Sequence, residues 1–197
     1  MRVTVTPAIV SRAFAAVADS SAFSESAALV RSGRLPVEML QAMSLRPELL
    51  RAFGGFSEAI YPGGIVERDT KELIILEASR RNRCQFCAES HISIARMLGM
   101  AEHPMELLDD PSRLTERGRL AVEYTRAAMT DSNRIPEELF ARLKRSFTEA
   151  EIVELTAVIG LINMLNMFNN CLGVMYGGEY EENGEGSSQA CRGRDAG

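Results

Sequence analysis

The stretch from Ile152 to Leu172 constrains the fold of this chain more than any other. Ile152, Leu155, Val158, Ile159, Leu161, Ile162, Leu165 and Phe168 leave it apolar around most of a helical circumference. A helix with apolar residues on nearly every side must pack against several neighbours, so a central position is expected. Thr148, followed three residues later by Glu151, supplies a capping-box pattern at its start, in which hydroxyl and carboxylate satisfy exposed backbone N–H groups. Helical periodicity punctuated by proline and glycine continues through the rest of the chain. Strand-like alternation is confined to a short run near Val3 and Val5. The expected fold class is all-α, a compact helical bundle.

The individual helices follow from periodicity and caps. Pro7 opens a short amphipathic helix to about Ala18, and the Ser- and Ala-rich residues 19–34 receive no assignment. Pro36 and Pro47 each begin a helix, as proline is tolerated in a first turn; Pro62-Gly63-Gly64 stops the second. From about Glu67 to Arg81, Leu73, Ile74, Leu76 and Ala78 form an apolar face, and Glu67, Arg68, Lys71 and Arg80 a polar one. Asn82 with Gln85 reads as a capping box for a helix from Arg83 to Leu98, ended by Gly99. Thr115 opens another helix through Leu120, Val122, Tyr124 and Met129, and Pro136 opens one more. The expected organisation is an N-terminal helical extension over residues 1–35, one domain over 36–174, and a Gly-, Ser- and Glu-rich tail over 175–197. That tail is too polar to offset its ordering entropy and reads as disordered.

The net charge of −5 leaves no surplus of Lys and Arg to neutralise phosphates, which argues against nucleic acid as a partner. No apolar run is expected to reach the ~18 residues of a membrane span. The opening MRVTVTPAIVSR lacks the apolar core of an export signal, so a cytoplasmic location without membrane association is expected. In a reducing compartment a close cysteine pair is more often catalytic or metal-binding than structural.

Such a pair is present in Cys84-Gln85-Phe86-Cys87-Ala88-Glu89-Ser90-His91. Helical residues three apart hold their Cβ atoms ~5–6 Å from each other. Cys84 and Cys87 are thus near the separation that a disulfide requires. The start of a helix also favours thiolate over thiol, and Arg80, Arg81 and Arg83 add positive potential. His91 lies one turn beyond Cys87, on the same face, where its imidazole can take up a thiol proton and return it. Glu72 would orient His91 if the preceding helix packs back on this one. A zinc site wants four ligands, and Cys84, Cys87 and His91 supply three, so no metal or other cofactor is expected. Cys171 reads as a core residue, Cys191 as a bystander and His103 as a loop residue. Asn163, Asn166, Asn169 and Asn170 read as makers of helix-to-helix or subunit hydrogen bonds. Tyr61 and Phe86 either line the site or simply pack.

The segment KELIILEASRRNRCQFCAESH resembles the signature of the carboxymuconolactone decarboxylase-like superfamily, in its AhpD-like alkylhydroperoxidase branch. Glu72, Cys84, Cys87 and His91 match that signature position by position, and EIVELTAVIGLINMLNMFNNCLGV resembles the long C-terminal helix. The resemblance spans about residues 36–174. It implies an AhpD-like helical fold assembled as a homo-oligomer, and peroxide reduction by cysteine. Cys87 would attack the peroxide, Cys84 would resolve the sulfenic acid, and His91 with Glu72 would relay protons. An external dithiol reductant, a small molecule or a protein, would restore the enzyme. Phe86 departs from the pattern, which has a second histidine there. Three other functions stand beside this one. They are dithiol-disulfide exchange without efficient peroxide turnover, a non-catalytic oligomeric binding role, and lactone decarboxylation. The last belongs to branches that lack the cysteine pair.

Overall fold

The computed structural model describes residues 1–178 and 180, so most of the tail expected to be disordered, with Cys191, lies outside the described residues. Nine α-helices occur among the described residues, and no strand. They are α1 (Pro7–Ala16), α2 (Ser24–Arg31), α3 (Glu38–Met43), α4 (Pro47–Ile60), α5 (Arg68–Arg81), α6 (Gln85–Met97), α7 (Glu116–Thr130), α8 (Glu137–Ser146) and α9 (Glu149–Leu172). The 19–34 stretch contains a 3₁₀ turn at Ser21–Phe23 followed by α2.

The central helix is α5. Every residue from Thr70 to Ser79 is buried, and α6, α7 and α9 pack around it. The polar face expected at Lys71 is therefore not a solvated one: Lys71 is 0% exposed. Its ammonium lies 2.5 Å from the Glu154 carboxylate of α9 and also donates to the Gly63 carbonyl. Glu77, equally buried, accepts from Arg80 at 2.7 Å and from Arg126 of α7 at 3.0 and 3.2 Å. An unpartnered charge in these positions would cost several kcal/mol, so the pairs are what allow so polar a helix into the core.

Against α5, helix α9 buries Ile152, Leu155, Val158, Ile159, Ile162 and Leu165 and leaves Val153, Met164 and Met167 exposed. It is long and apolar enough, by length and composition, to cross a membrane, which corrects the expectation that no run is; its inner face belongs to the core. Cys171 lies on its exposed side, not in the core as expected. The capping box forms: Glu151 N donates to Thr148 Oγ1 at 3.3 Å, and Thr148 N to Glu151 Oε2 at 2.7 Å. At the other end Gly173 stops the helix in the left-handed region at φ 61°. Arg2 caps that end, donating from its backbone to the Leu172 carbonyl at 2.6 Å and from its side chain to Cys171 O at 3.2 Å. Val10, Phe14, Val17 and Phe23 of the N-terminal segment join the same apolar core as Ile74 and Leu155.

Candidate redox site

The α5–α6 connector sets the site. Asn82 is the last cap of α5, not the first of α6; its N–H bonds back to Ala78 O at 2.9 Å. Arg83 follows in the left-handed region at φ 52°, reversing the chain within two residues. α6 then begins at Gln85, with Cys84 as its N-cap residue and Cys87 three positions on. The expected Asn82 capping box is thereby corrected. Its amide donates instead to Asn163 Oδ1 at 2.8 Å and Asn166 Oδ1 at 3.1 Å on α9. Asn170 Nδ2 donates to the Asn82 carbonyl at 2.9 Å, and Asn166 Nδ2 to Ser79 Oγ at 3.2 Å. These α9 asparagines make the expected helix-to-helix bonds and lock the connector. Asn169, one turn along the same face, does something else: its Nδ2 lies 3.2 Å from Cys87 Sγ. The sequence groups it with its neighbours as a packing amide, and nothing in the spacing of 163, 166 and 169 separates it from them. Arg80 and Arg81 are engaged elsewhere, by Glu77, Asp109 and Thr130.

Cys84 and Cys87 are free thiols and are 1% and 2% exposed. The hydrogen bond from Cys87 draws the Cys84 thiol down to about 7, against the opposing effect of burial. Cys87 moves the other way, because it carries the shared proton, is buried and faces the charge on its neighbour. The pair thus loses its first proton easily and its second with difficulty, as two coupled groups do.

The expected meeting of Glu72 with His91 is realised. His91 Nδ1 lies 2.7 Å from Glu72 Oε2. Burial alone would raise the Glu72 carboxyl, but the adjacent His91 and Arg68 outweigh it and hold Glu72 below its ordinary value. An ionised carboxylate only accepts, so Nδ1 carries the proton and Nε2 is left as the basic nitrogen. The other oxygen, Oε1, accepts from Tyr61 Oη at 2.7 Å and from Arg68 Nε at 2.7 Å. Arg68 Nη2 also donates to Tyr61 Oη at 2.6 Å, and Oη lies 3.3 Å from His91 Nδ1. Burial, followed by the Glu72 charge, pushes the Tyr61 hydroxyl well above its ordinary value, so it stays protonated at neutral pH. Tyr61 is therefore part of the network and not mere packing. Among the described residues no hydrogen bond joins His91 to either sulfur. Nor is there a group of three or more His, Cys, Asp or Glu placed to hold a metal.

Two further features surround this centre. The loop that carries Tyr61 is fastened to α9: Ile65 N and Val66 N donate to the Glu154 carboxylate at 2.7 and 3.1 Å, beside Lys71. Gly64, at φ 91°, is packed so closely on that carboxylate that a Cβ would collide with it. On the other side, the segment after α9 crosses α6. The Tyr176 ring meets Phe86 edge-on, with 6.3 Å between centroids, and Tyr180 stacks on Tyr176 at 6.0 Å. Phe86, the departure from the signature, is thus 5% exposed under an aromatic strap.

An all-helical bundle that presents a Cys-x-x-Cys pair at a helix start, on the helix whose His91 pairs with a buried glutamate, defines an AhpD-like protein. Residues 47–108 match the model of the carboxymuconolactone decarboxylase family. The chain is 30% identical over 112 residues to the uncharacterized protein YdfG of Bacillus subtilis (strain 168), covering 55% of this chain and 76% of that one. Among solved structures, it resembles an uncharacterized peroxidase-related protein with an alkylhydroperoxidase AhpD core from Ralstonia eutropha JMP134. That likeness has a TM-score of 0.70 at 19% identity and covers 91% of this chain and 93% of that one. A second similar structure is a variant of the debrominase Bmp8 in complex with 2,3,4-tribromopyrrole. It has a TM-score of 0.64 at 22% identity, covering 84% of this chain and 90% of that one. The chain belongs to the carboxymuconolactone decarboxylase family and has the AhpD-like fold.

Proposed function

We propose that this protein is a thiol-dependent peroxidase that reduces hydrogen peroxide or organic hydroperoxides through Cys84 and Cys87. The observation that carries the reading is the placement of two free thiols, three residues apart at the start of α6, on the same helix as His91, which Glu72 holds together with Tyr61. In the first step the proton shared by the sulfurs passes to Cys84, and the Cys87 thiolate attacks the terminal oxygen of the hydroperoxide. An S–O bond forms, the O–O bond breaks, and the leaving alkoxide takes from His91 Nε2 the proton that the dithiol gave up to it on ionising, with Glu72 holding the imidazole. Cys84 then attacks the Cys87 sulfenic acid, forming the disulfide and releasing water. An external dithiol reduces that disulfide through two exchanges and is itself oxidised. No metal or cofactor enters this sequence.

Stopped-flow mixing with hydrogen peroxide and with tert-butyl hydroperoxide tests it, with thiol titration and mass mapping of the disulfide. Loss of both thiols with one equivalent of peroxide is expected. A Cys87→Ser variant that consumes peroxide as fast as the parent would overturn the assignment. A second reading is dithiol-disulfide exchange with little peroxide turnover, favoured by Phe86 in place of a histidine and by the aromatic strap over it. Comparing the rate with peroxide against the rate with a small disulfide separates the two. The exposed Val153, Met164 and Met167 stripe on α9 supports assembly as a homo-oligomer, and a light-scattering mass of one 21.7 kDa chain would refute it.

A further inference from the structure

Three residues apart on α9, Asn166 and Asn169 are both fully buried amides, at 0% and 1% exposure. Asn166 is satisfied at both ends: Nδ2 donates to Ser79 Oγ at 3.2 Å and Oδ1 accepts from Asn82 at 3.1 Å. Asn169 is not. Its Nδ2 reaches Cys87 Sγ at 3.2 Å, with Met39 Sδ at 3.7 Å, while its Oδ1 is buried with no hydrogen-bond partner. A buried acceptor left in that condition costs ~1–3 kcal/mol, and native structures rarely leave one without a use.

We propose that the Asn169 carboxamide is a catalytic group whose N–H holds negative charge on the Cys87 sulfur and whose Oδ1 receives the O–H of the hydroperoxide. This rests on the peroxidase reading and adds the substrate-orienting element to it. The chemistry fits both ends of the amide. A thiolate is a far better acceptor than a thiol, so the N–H, 3.2 Å from Cys87 Sγ, stabilises charge on that sulfur once the shared proton has passed to Cys84. A hydroperoxide carries one O–H, on the oxygen that the sulfur attacks. Donating that hydrogen to Oδ1 places the electrophilic oxygen beside the nucleophile, both held by one planar group. When the S–O bond forms and the O–O bond breaks, the hydrogen stays on the transferred oxygen as the sulfenic O–H, still bonded to Oδ1. The alkoxide leaves with the proton supplied through His91. The amide itself neither gains nor loses a proton. The predicted substrate class is therefore a compound with a terminal –O–OH; a dialkyl peroxide, lacking that hydrogen, is excluded.

The test uses the full chain with Cys84, Cys171 and Cys191 changed to Ser, so that Cys87 is the one thiol left. Its titration is followed by thiolate ultraviolet absorbance. Asn169→Leu fills the same space without polar atoms, and Asn169→Ser guards against overpacking. Each is expected to lower the thiolate fraction at neutral pH about tenfold, moving the midpoint up by ~1 pH unit. Each is also expected to slow the reaction of the fully ionised thiolate with tert-butyl hydroperoxide about tenfold, a loss of ~1.4 kcal/mol. Circular dichroism confirms that both variants are folded. A midpoint that stays in place in both variants overturns the charge-holding role, and an unchanged rate for the ionised thiolate overturns the orienting role. If the midpoint moves but the parent itself does not react with the hydroperoxide, the peroxidase reading and the orienting role both fail, while the hold of Asn169 on the sulfur stands.

Discussion

Glu154→Gln is the substitution whose effect the structure defines most sharply. Glu154 is 8% exposed and its carboxylate is shared by three donors: the Lys71 ammonium at 2.5 Å, Ile65 N at 2.7 Å and Val66 N at 3.1 Å. The glutamine keeps the shape and one acceptor oxygen but removes the charge. Lys71, at 0% exposure, is then left as a buried cation with the Gly63 carbonyl as a neutral acceptor. Removing one partner of a buried ion pair costs ~3–5 kcal/mol. At ~2–4 °C per kcal/mol for a domain of this size, the melting temperature should fall by roughly 6–20 °C. Combining it with Lys71→Met removes the stranded charge, and most of that loss should return, because neutral replacements of buried pairs are often tolerated. Urea unfolding of the parent, both single variants and the double variant gives the cycle. A Glu154→Gln protein within ~1 kcal/mol of the parent, or a double variant less stable than the worse single variant, would refute the account of α5 as a helix made buriable by pairing. Under the proposed peroxidase activity, the same substitution should also slow peroxide consumption in the folded protein, since the loop it loosens carries Tyr61.

Three other outcomes are expected. Glu72 has a depressed carboxyl, so its ionised form stabilises the fold above its ordinary value of 4.5, and that contribution is lost as pH falls through the lower folded value. Urea melts should show Glu72→Gln far less stable than the parent at neutral pH, with the gap narrowing on acidification; a gap independent of pH would contradict the network. Arg83 sits at φ 52°, where an L side chain costs ~1–2 kcal/mol, so Arg83→Gly should stabilise by about 1 kcal/mol in a denaturant titration. Tyr176→Ala removes an edge-on aromatic pair worth ~0.5–1.5 kcal/mol, so alkylation of Cys84 and Cys87 should accelerate about two- to tenfold, measured against exposed Cys171 as an internal reference.

The sequence made legible what depends on local spacing. Cys84, Cys87 and His91 lie within two turns of one helix, and Thr148 with Glu151 spells a cap that the structure builds. What depended on distant partners was hidden. Lys71 reads as part of a polar face until Glu154 is found across the core, and Glu77 is likewise paired by Arg126 from another helix. That is why α5, with the more polar sequence, and not the apolar α9 alone, is the fully wrapped helix. The Asn82 cap failed for a different reason: two helix ends compete for the same residue, and the left-handed Arg83 that decides between them has no sequence signal, since glycine is the usual occupant. Tyr61 and Asn169 belong to the site only because a loop and a helix far apart in the chain converge on α6.

Under the proposed peroxidase activity, that convergence gives the site an asymmetry between the two half-reactions. A hydroperoxide is neutral and needs to present a single oxygen to Cys87. Reducing the disulfide is more demanding, because the attacking sulfur must approach along the S–S axis and bring its own bulk with it. With Cys84 and Cys87 1% and 2% exposed and Phe86, which lies between them in sequence, packed under Tyr176, the bulkier reagent is the one more hindered. Tyr176→Ala should therefore accelerate reduction of the oxidised protein by a dithiol more than it accelerates oxidation by hydrogen peroxide. Equal acceleration of both would mean that the strap is no barrier to the larger reagent and that access is governed elsewhere.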